Sequence, residues 1–189
     1  SGSNINGWGD CGILKSFRDW AYDRGETIRA TTSFLMADST TPDGDYIKPQ
    51  TNPTNTDCWN GKAYTPLNQL TPGRTKYGTN NNVRIFRYAD VLLMNAEAKI
   101  KNGKSGDAPF NEVRRRAQMP ELTNVTFEQV IDERRMELVC EWGERYNDLV
   151  RTGLAKTELK GWSEDKALLP LPFNQYTQIP DLLKEPKDE

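Results

Sequence analysis

Apolar positions recur at helical spacing in several stretches of the chain, separated by polar, turn-rich segments. Leu14, Phe17, Trp20 and Ala21 repeat at three- and four-residue steps and predict a helix over 13–22. Residues 28–35 hold several β-branched side chains and predict a short strand. From 38 to 82 the chain is turn chemistry, including Thr-Pro-Asp-Gly at 41–44 and Thr-Pro-Gly at 71–73. A loop that long in a compact domain is functional or disordered, and this one carries Tyr46, Trp59, Tyr64 and Tyr77, which a plain linker does not need.

The pattern changes after residue 82. Ile85, Ala89, Leu92, Leu93, Ala96 and Ile100 predict a helix over 83–100, stopped by Asn102-Gly103. A shorter helix is expected over 109–118, with Pro109 near its start and Pro120 beyond its end. Thr126 opens a third, with Gln129 placed for a capping box. Its apolar stripe runs through Phe127, Val130, Ile131, Leu138, Val139 and Trp142, and Gly143 breaks it. A last helical segment covers 145–152. Short links between these helices argue for antiparallel pairs packed side by side. From Trp162 onward the chain should be extended, because the prolines at 170 and 172 block helix. The expected organisation is a loop-rich segment over 1–82, a helical region over 83–161 and a proline-containing tail over 162–189, all within one mainly α domain.

Composition narrows the chemistry. The 189 residues are 35% hydrophobic and 28% charged, enough for a modest core inside a polar surface. A net charge of -2 gives no support to nucleic-acid binding through a basic face. The chain has no histidine, which removes imidazole-based hydrolases and His-ligated metal sites. Cys11, Cys58 and Cys140 form no CxxC pair, so neither a zinc ribbon nor a thioredoxin-type motif is expected. Pairing of Cys11 with Cys58 stays open.

Charge is densest from Asp132 to Arg151. Glu133, Glu137 and Glu141 stack at four-residue steps, which fits either an acid/base set or a ladder of ion pairs. The ladder joins Arg134 to Glu137, Glu141 to Arg145, and Arg145 to Asp148, and accounts for the charges more simply. Arg135 falls inside the apolar stripe and requires carboxylate partners there. The triplet Arg114-Arg115-Arg116 is expected as a solvated helix end. Trp8, Tyr46, Trp59 and Tyr64 sit among Asn, Asp and Thr, where rings can pack on sugar faces or anchor their own loops.

Residues 87–98 read RYADVLLMNAEA and resemble the RYAEVLLMYAEA helix of the SusD/RagB family. Residues 110–117 resemble its LNxVRxRAG segment, and 132–153 its ERRxELxxEGxRxxDLxRtG block. Leu168 to Pro172 are similar to its LxPIP tail. The resemblance covers about half the chain in the family's order. It implies a SusD-like fold, mainly helical, with helix pairs of tetratricopeptide type and a partly β segment on the N-terminal side. It further implies a surface-exposed outer-membrane lipoprotein that binds oligo- or polysaccharides and delivers them to a SusC-like TonB-dependent transporter. No catalysis, cofactor or metal goes with it, and the Glu/Arg block becomes a structural signature. Family members are usually more than twice as long, so the resemblance is to the C-terminal portion, with the lipidated N-terminus that attaches the protein to the membrane outside this chain. Two other readings stay in view. One is a docking part with no ligand site of its own; the other is a glycosidase using Glu133 and Glu137.

Overall fold

The computed structural model of the chain describes residues 3–5, 12–49, 57–70, 82–168 and 173–178. Its contacts divide it into two units, Ser1–Arg145 and Tyr146–Glu189.

The first unit begins with short strands around two helices. Helix α1 (Lys15–Asp23) is followed by α2 (Ile28–Ser33). Strands β1 (Ser3–Ile5), β4 (Asp45–Ile47) and β3 (Ser39–Thr40) form one small sheet, in which β4 runs parallel to β1 and antiparallel to β3. Strands β2 (Phe34–Met36) and β5 (Cys58–Asn60) form an antiparallel pair with Leu35 opposite Trp59. The strand expected over 28–35 is therefore a helix for most of its length. Thr31 and Thr32 turn their hydroxyls back to the carbonyls of Thr27 and Ile28, at 2.9 and 3.1 Å, and so satisfy themselves inside a helix. Burial of Arg29, Ala30 and Ser33 on one side of α2 then outweighs β propensity.

The helical part holds α3 (Tyr88–Lys101), α4 (Asp107–Arg116) and α5 (Phe127–Glu137), with α3 packed on both of the others. Leu92, Leu93 and Ala96 of α3 meet Phe110, Val113 and Val130 in one apolar cluster. The capping box at the start of α5 is formed: Gln129 N–H donates to Thr126 Oγ1 at 3.3 Å and Thr126 N–H to Gln129 Oε1 at 2.9 Å. The α4–α5 link is pinned by Asn111, which donates to Leu122 O at 2.8 Å and accepts from its N–H at 2.9 Å. Asp107 accepts from the N–H groups of Asn124 and Val125 at 3.0 and 2.9 Å.

Two expected helices are shorter than their patterns. Helix α3 starts at Tyr88, since Arg87 is extended (φ -120°, ψ 149°) and Val83, Ile85 and Phe86 stay exposed. Helix α5 ends at Glu137, and the turn beyond it holds Cys140, Trp142 and Gly143 at φ 61°, 37° and 75°. Left-handed backbone at three positions cannot continue a right-handed helix. Trp142 thus leaves the apolar stripe to which its spacing assigned it.

A second cluster, with Ile13, Ala21, Ala30, Phe34 and Cys58, also takes Met136 from α5. Helix α5 therefore feeds Val130 into one cluster and Met136 into the other, with Glu133 and Glu137 at the seam. Arg135 of α5 meets rings of α1: its guanidinium lies 4.4 Å from the Trp20 ring centre and 5.3 Å from that of Phe17.

The division between units falls inside α6 (Glu144–Arg151). In the second unit, Asp148 accepts from Arg151 Nε and Nη2 at 2.9 and 2.6 Å. Helix α7 (Ala155–Glu158), a 3₁₀ turn over Glu164–Ala167 and α8 (Phe173–Gln178) follow. The tail expected to be extended thus carries helical turns, because both prolines precede Phe173 and neither stands inside α8. Residues 169–172, most of the proline strap, lie outside the described residues.

Candidate functional site

Two carboxylates one helical turn apart organise the seam. Glu133 is 0% exposed; its Oε1 accepts from Arg29 Nη1 at 2.6 Å, and its Oε2 accepts from Arg24 Nη2 and Arg114 Nη1, each at 2.8 Å. Glu137 accepts from Arg29 Nη1 at 3.2 Å, from Arg87 Nη1 at 2.7 Å and from Arg116. Glu26 takes Arg29 Nε at 2.8 Å, while Glu141 takes Arg87 Nε at 2.8 Å and Lys62 Nζ at 2.6 Å. An unpaired buried charge costs several kcal/mol, and here Glu133 and Glu137 are each matched from more than one segment.

These partners revise the Arg134–Glu137 rung of the expected ladder. Arg134 bonds Asp90 at 2.6 Å and approaches Glu144 at 3.5 Å, while Glu137 is filled by arginines from three other elements. Spacing along one helix identifies neighbours in sequence, but guanidinia arriving from elsewhere are closer. The arginine triplet also departs from a solvated helix end. Arg114 is buried, donating to Pro120 O at 2.6 Å as well as to Glu133, whereas Arg115 pairs with Glu121 in the open.

Burial by itself would raise the Glu137 pKa. The Arg87 hydrogen bond and the charges of Arg116, Arg87 and Arg29 overcome it and hold the carboxyl below its ordinary range. Burial lowers the pKa of Lys62 against the pull of Glu141.

A cavity of about 580 Å³ opens on this network. Its walls come from α2, from Asn60 at the end of β5 and Lys62 beyond it, from Asn82, Val83, Arg84 and Arg87 ahead of α3, and from the turn after α5. Three donors clamp that turn. Lys62 Nζ and Arg87 Nη2 donate to Glu137 O at 2.6 and 2.7 Å, and Asn60 Nδ2 to Cys140 O at 3.4 Å. They satisfy carbonyls that a helix end leaves open. Trp142 is held by its indole N–H, which donates to Arg84 O at 2.6 Å, and stays 65% exposed. An indole placed at a cavity wall beside amide, carboxylate and cationic groups offers apolar area at low entropy cost, with polar groups in reach. Sequence reasoning missed this residue. Gly143 directly after it was the available signal, since a helix-breaking glycine removes its neighbour from the stripe.

The structure disperses the rings chosen from the sequence. Trp8 lies outside the described residues. Tyr46 donates its hydroxyl to Asp38 at 2.6 Å. Trp59 is half-buried on β5, and its indole N–H has no partner among the described residues. Tyr64 donates to Asp45 Oδ2 at 2.5 Å and lies 3.1 Å from Thr41 Oγ1. Burial, with the Asp45 hydrogen bond, pushes its phenol up to about 12. Of the three described rings, only Tyr64 lines a second cavity of about 540 Å³, together with Tyr22 and Asp43.

Short sheets beside paired helices, a buried arginine–glutamate seam and an open cavity define a mainly helical module. The chain belongs to the SusD family, whose model matches residues 12–180. It is 33% identical over 119 residues to a SusD-like protein of Formosa agariphila, and 36% identical over 81 residues to the starch-binding protein SusD of Bacteroides thetaiotaomicron. These matches cover 53% and 42% of the chain, but only 24% and 14% of the relatives. Among solved structures, the surface glycan-binding protein A of Bacteroides uniformis superposes with a TM-score of 0.72 at 26% identity, over 94% of this chain and 41% of that one. A SusD-like protein of Bacteroides fragilis shares the fold at 20% identity with a TM-score of 0.60, over 79% of this chain and 37% of its own. The mainly α, SusD-like architecture is thus established, and the chain spans less than half the length of these relatives.

Proposed function

We propose that this chain contributes a glycan-binding surface centred on Trp142. The observation that carries the reading is the exposed indole, fixed by its bond to Arg84 O at the wall of the 580 Å³ cavity, with Asn60, Lys62 and Glu141 in the same lining. A sugar ring stacks on such a face while amide, ammonium and carboxylate groups meet its hydroxyls. The names of a starch-binding relative and of a glycan-binding structural neighbour support the same ligand class. Tyr64 and Tyr22 in the second cavity are further candidate contacts, with Tyr46, Trp59 and Trp8 as the sequence's remaining candidates. In this reading the whole protein sits at the outer-membrane surface and passes its ligand to a SusC-like TonB-dependent transporter.

Binding is favoured over carboxylate hydrolysis because Glu133 and Glu137 are buried and occupied by guanidinia, so neither presents a proton to a substrate. The experiment is affinity electrophoresis of the full-length protein through gels containing different polysaccharides, with Trp142→Ala beside the parent. Retardation that disappears in the variant, with thermal stability changed by about 1 kcal/mol or less, supports the reading. Retardation unaffected by the substitution moves the site away from this cavity and leaves a docking role for the chain.

A further inference from the structure

The cavity beside Trp142 is electrically lopsided. Arg29, Lys62, Arg84, Arg87 and Arg116 line it as cations, against the carboxylates of Glu137 and Glu141. Arg29 is also neutralised from behind by Glu26 and Glu133, but those two carboxylates are shared with Arg24 and Arg114. Tracing the network outward thus leaves the positive excess in place, although the whole chain carries a net charge of -2.

The surplus lies at the solvent side. Glu137 is a single carboxylate bonded by Arg29, Arg87 and Arg116, and Arg116 remains 56% exposed. Arg84 is exposed, and its guanidinium makes no ion pair among the described residues. Its own carbonyl holds the Trp142 indole at 2.6 Å, so an unpaired guanidinium and an open aromatic face share one edge of the cavity. Lys62 points the same way: burial lowers its pKa and the Arg87 charge adds to that, a strain that a further anion would relieve.

We propose that the Trp142 cavity takes glycans bearing carboxylate or sulfate groups, with Arg84 and Arg116 receiving the anion while Trp142 stacks on the ring. A planar guanidinium meets either group with two parallel N–H donors, and a neutral sugar supplies no partner for the surplus charge. The inference rests on the glycan reading of this cavity and narrows its ligand class.

Isothermal titration calorimetry of the full-length protein tests it with oligogalacturonate, sulfated dextran oligosaccharide, maltoheptaose and polyglutamate. The expected result is that one of the two acidic sugars binds about tenfold or more tightly than maltoheptaose in low salt, with the advantage shrinking as salt rises. Whichever acid binds identifies carboxylate or sulfate as the recognised group. Joint replacement Arg84→Gln and Arg116→Gln should erase the advantage, and Trp142→Ala should weaken the acidic sugar too. Equal affinity for acidic and neutral sugars, still dependent on Trp142, overturns the acidic preference and leaves the glycan reading standing. Polyglutamate binding as well as the acidic sugars also overturns it, by reducing the effect to adhesion of any polyanion. Failure of every sugar to bind overturns the glycan reading itself.

Discussion

Arg29 Nη1 donates to Glu133 Oε1 across 2.6 Å, joining α2 to α5 between side chains that are both buried, 104 positions apart in the chain. That contact ties the N-terminal strands and helices to the helical part. Around it, Glu26 and Glu137 hold the same guanidinium, while Arg24 and Arg114 complete Glu133. Such a seam contributes less net stability than its Coulomb terms imply, because every member was taken out of water. Its removal in part is a different matter.

Glu133→Gln keeps the shape of the side chain and removes its charge, leaving Arg24, Arg29 and Arg114 short of one buried partner. A loss of about 3–5 kcal/mol is expected. Urea unfolding of parent and variant measures it, and a change under 1 kcal/mol would contradict the buried network.

Glu137 makes the seam sensitive to acid. Its folded pKa is held below the ordinary glutamate value, so its contribution is complete above the unfolded value of about 4.3 and is lost as pH falls through the folded one. Melting temperature recorded from pH 7 down to pH 3 should therefore drop below about pH 4.5. In Glu137→Gln the curve should start lower and fall less steeply over that window.

Asn111 closes the α4–α5 link with two bonds to the backbone of Leu122 from a buried side chain. Asn111→Ala leaves that N–H and carbonyl without their partner, at a cost of about 1–3 kcal/mol. Hydrogen exchange should accelerate over residues 118–126 and change little in α1. Uniform acceleration across the chain would mean that the bond supports the whole unit.

Gly61 follows β5 where the chain passes α2. A β-carbon there would stand 2.2 Å from the backbone oxygen of Thr32, too close for any side chain to accommodate. Gly61→Ala should cost about 3 kcal/mol and push α2 away from the β5 turn. Because both segments wall the Trp142 cavity, glycan retardation should weaken with it. Full stability in this variant would contradict so close an approach of the two backbones.

Helices α3, α4 and α5 were legible in the sequence because helix signals are local. Apolar spacing, the Thr126–Gln129 box and the stop at Asn102-Gly103 all act within a few residues. The motifs that resemble the family are likewise contiguous in sequence. The strand expected over 28–35 fails for the converse reason. Its β-branched side chains are a weak preference, reversed once Arg29 had buried carboxylates to meet.

Sequence by itself thus determined which segments of the helical part could be helices and that a dense Glu/Arg block would be paired. Tertiary structure alone decided who pairs with whom, because a charge finds its partner through space and the nearest guanidinia come from segments far away in the chain. It also decided that Trp142, spaced like a core residue, faces solvent. Left-handed backbone at Cys140, Trp142 and Gly143, clamped by Asn60, Lys62 and Arg87, turns the indole out toward the cavity. No periodicity along the chain records a clamp built from three distant donors.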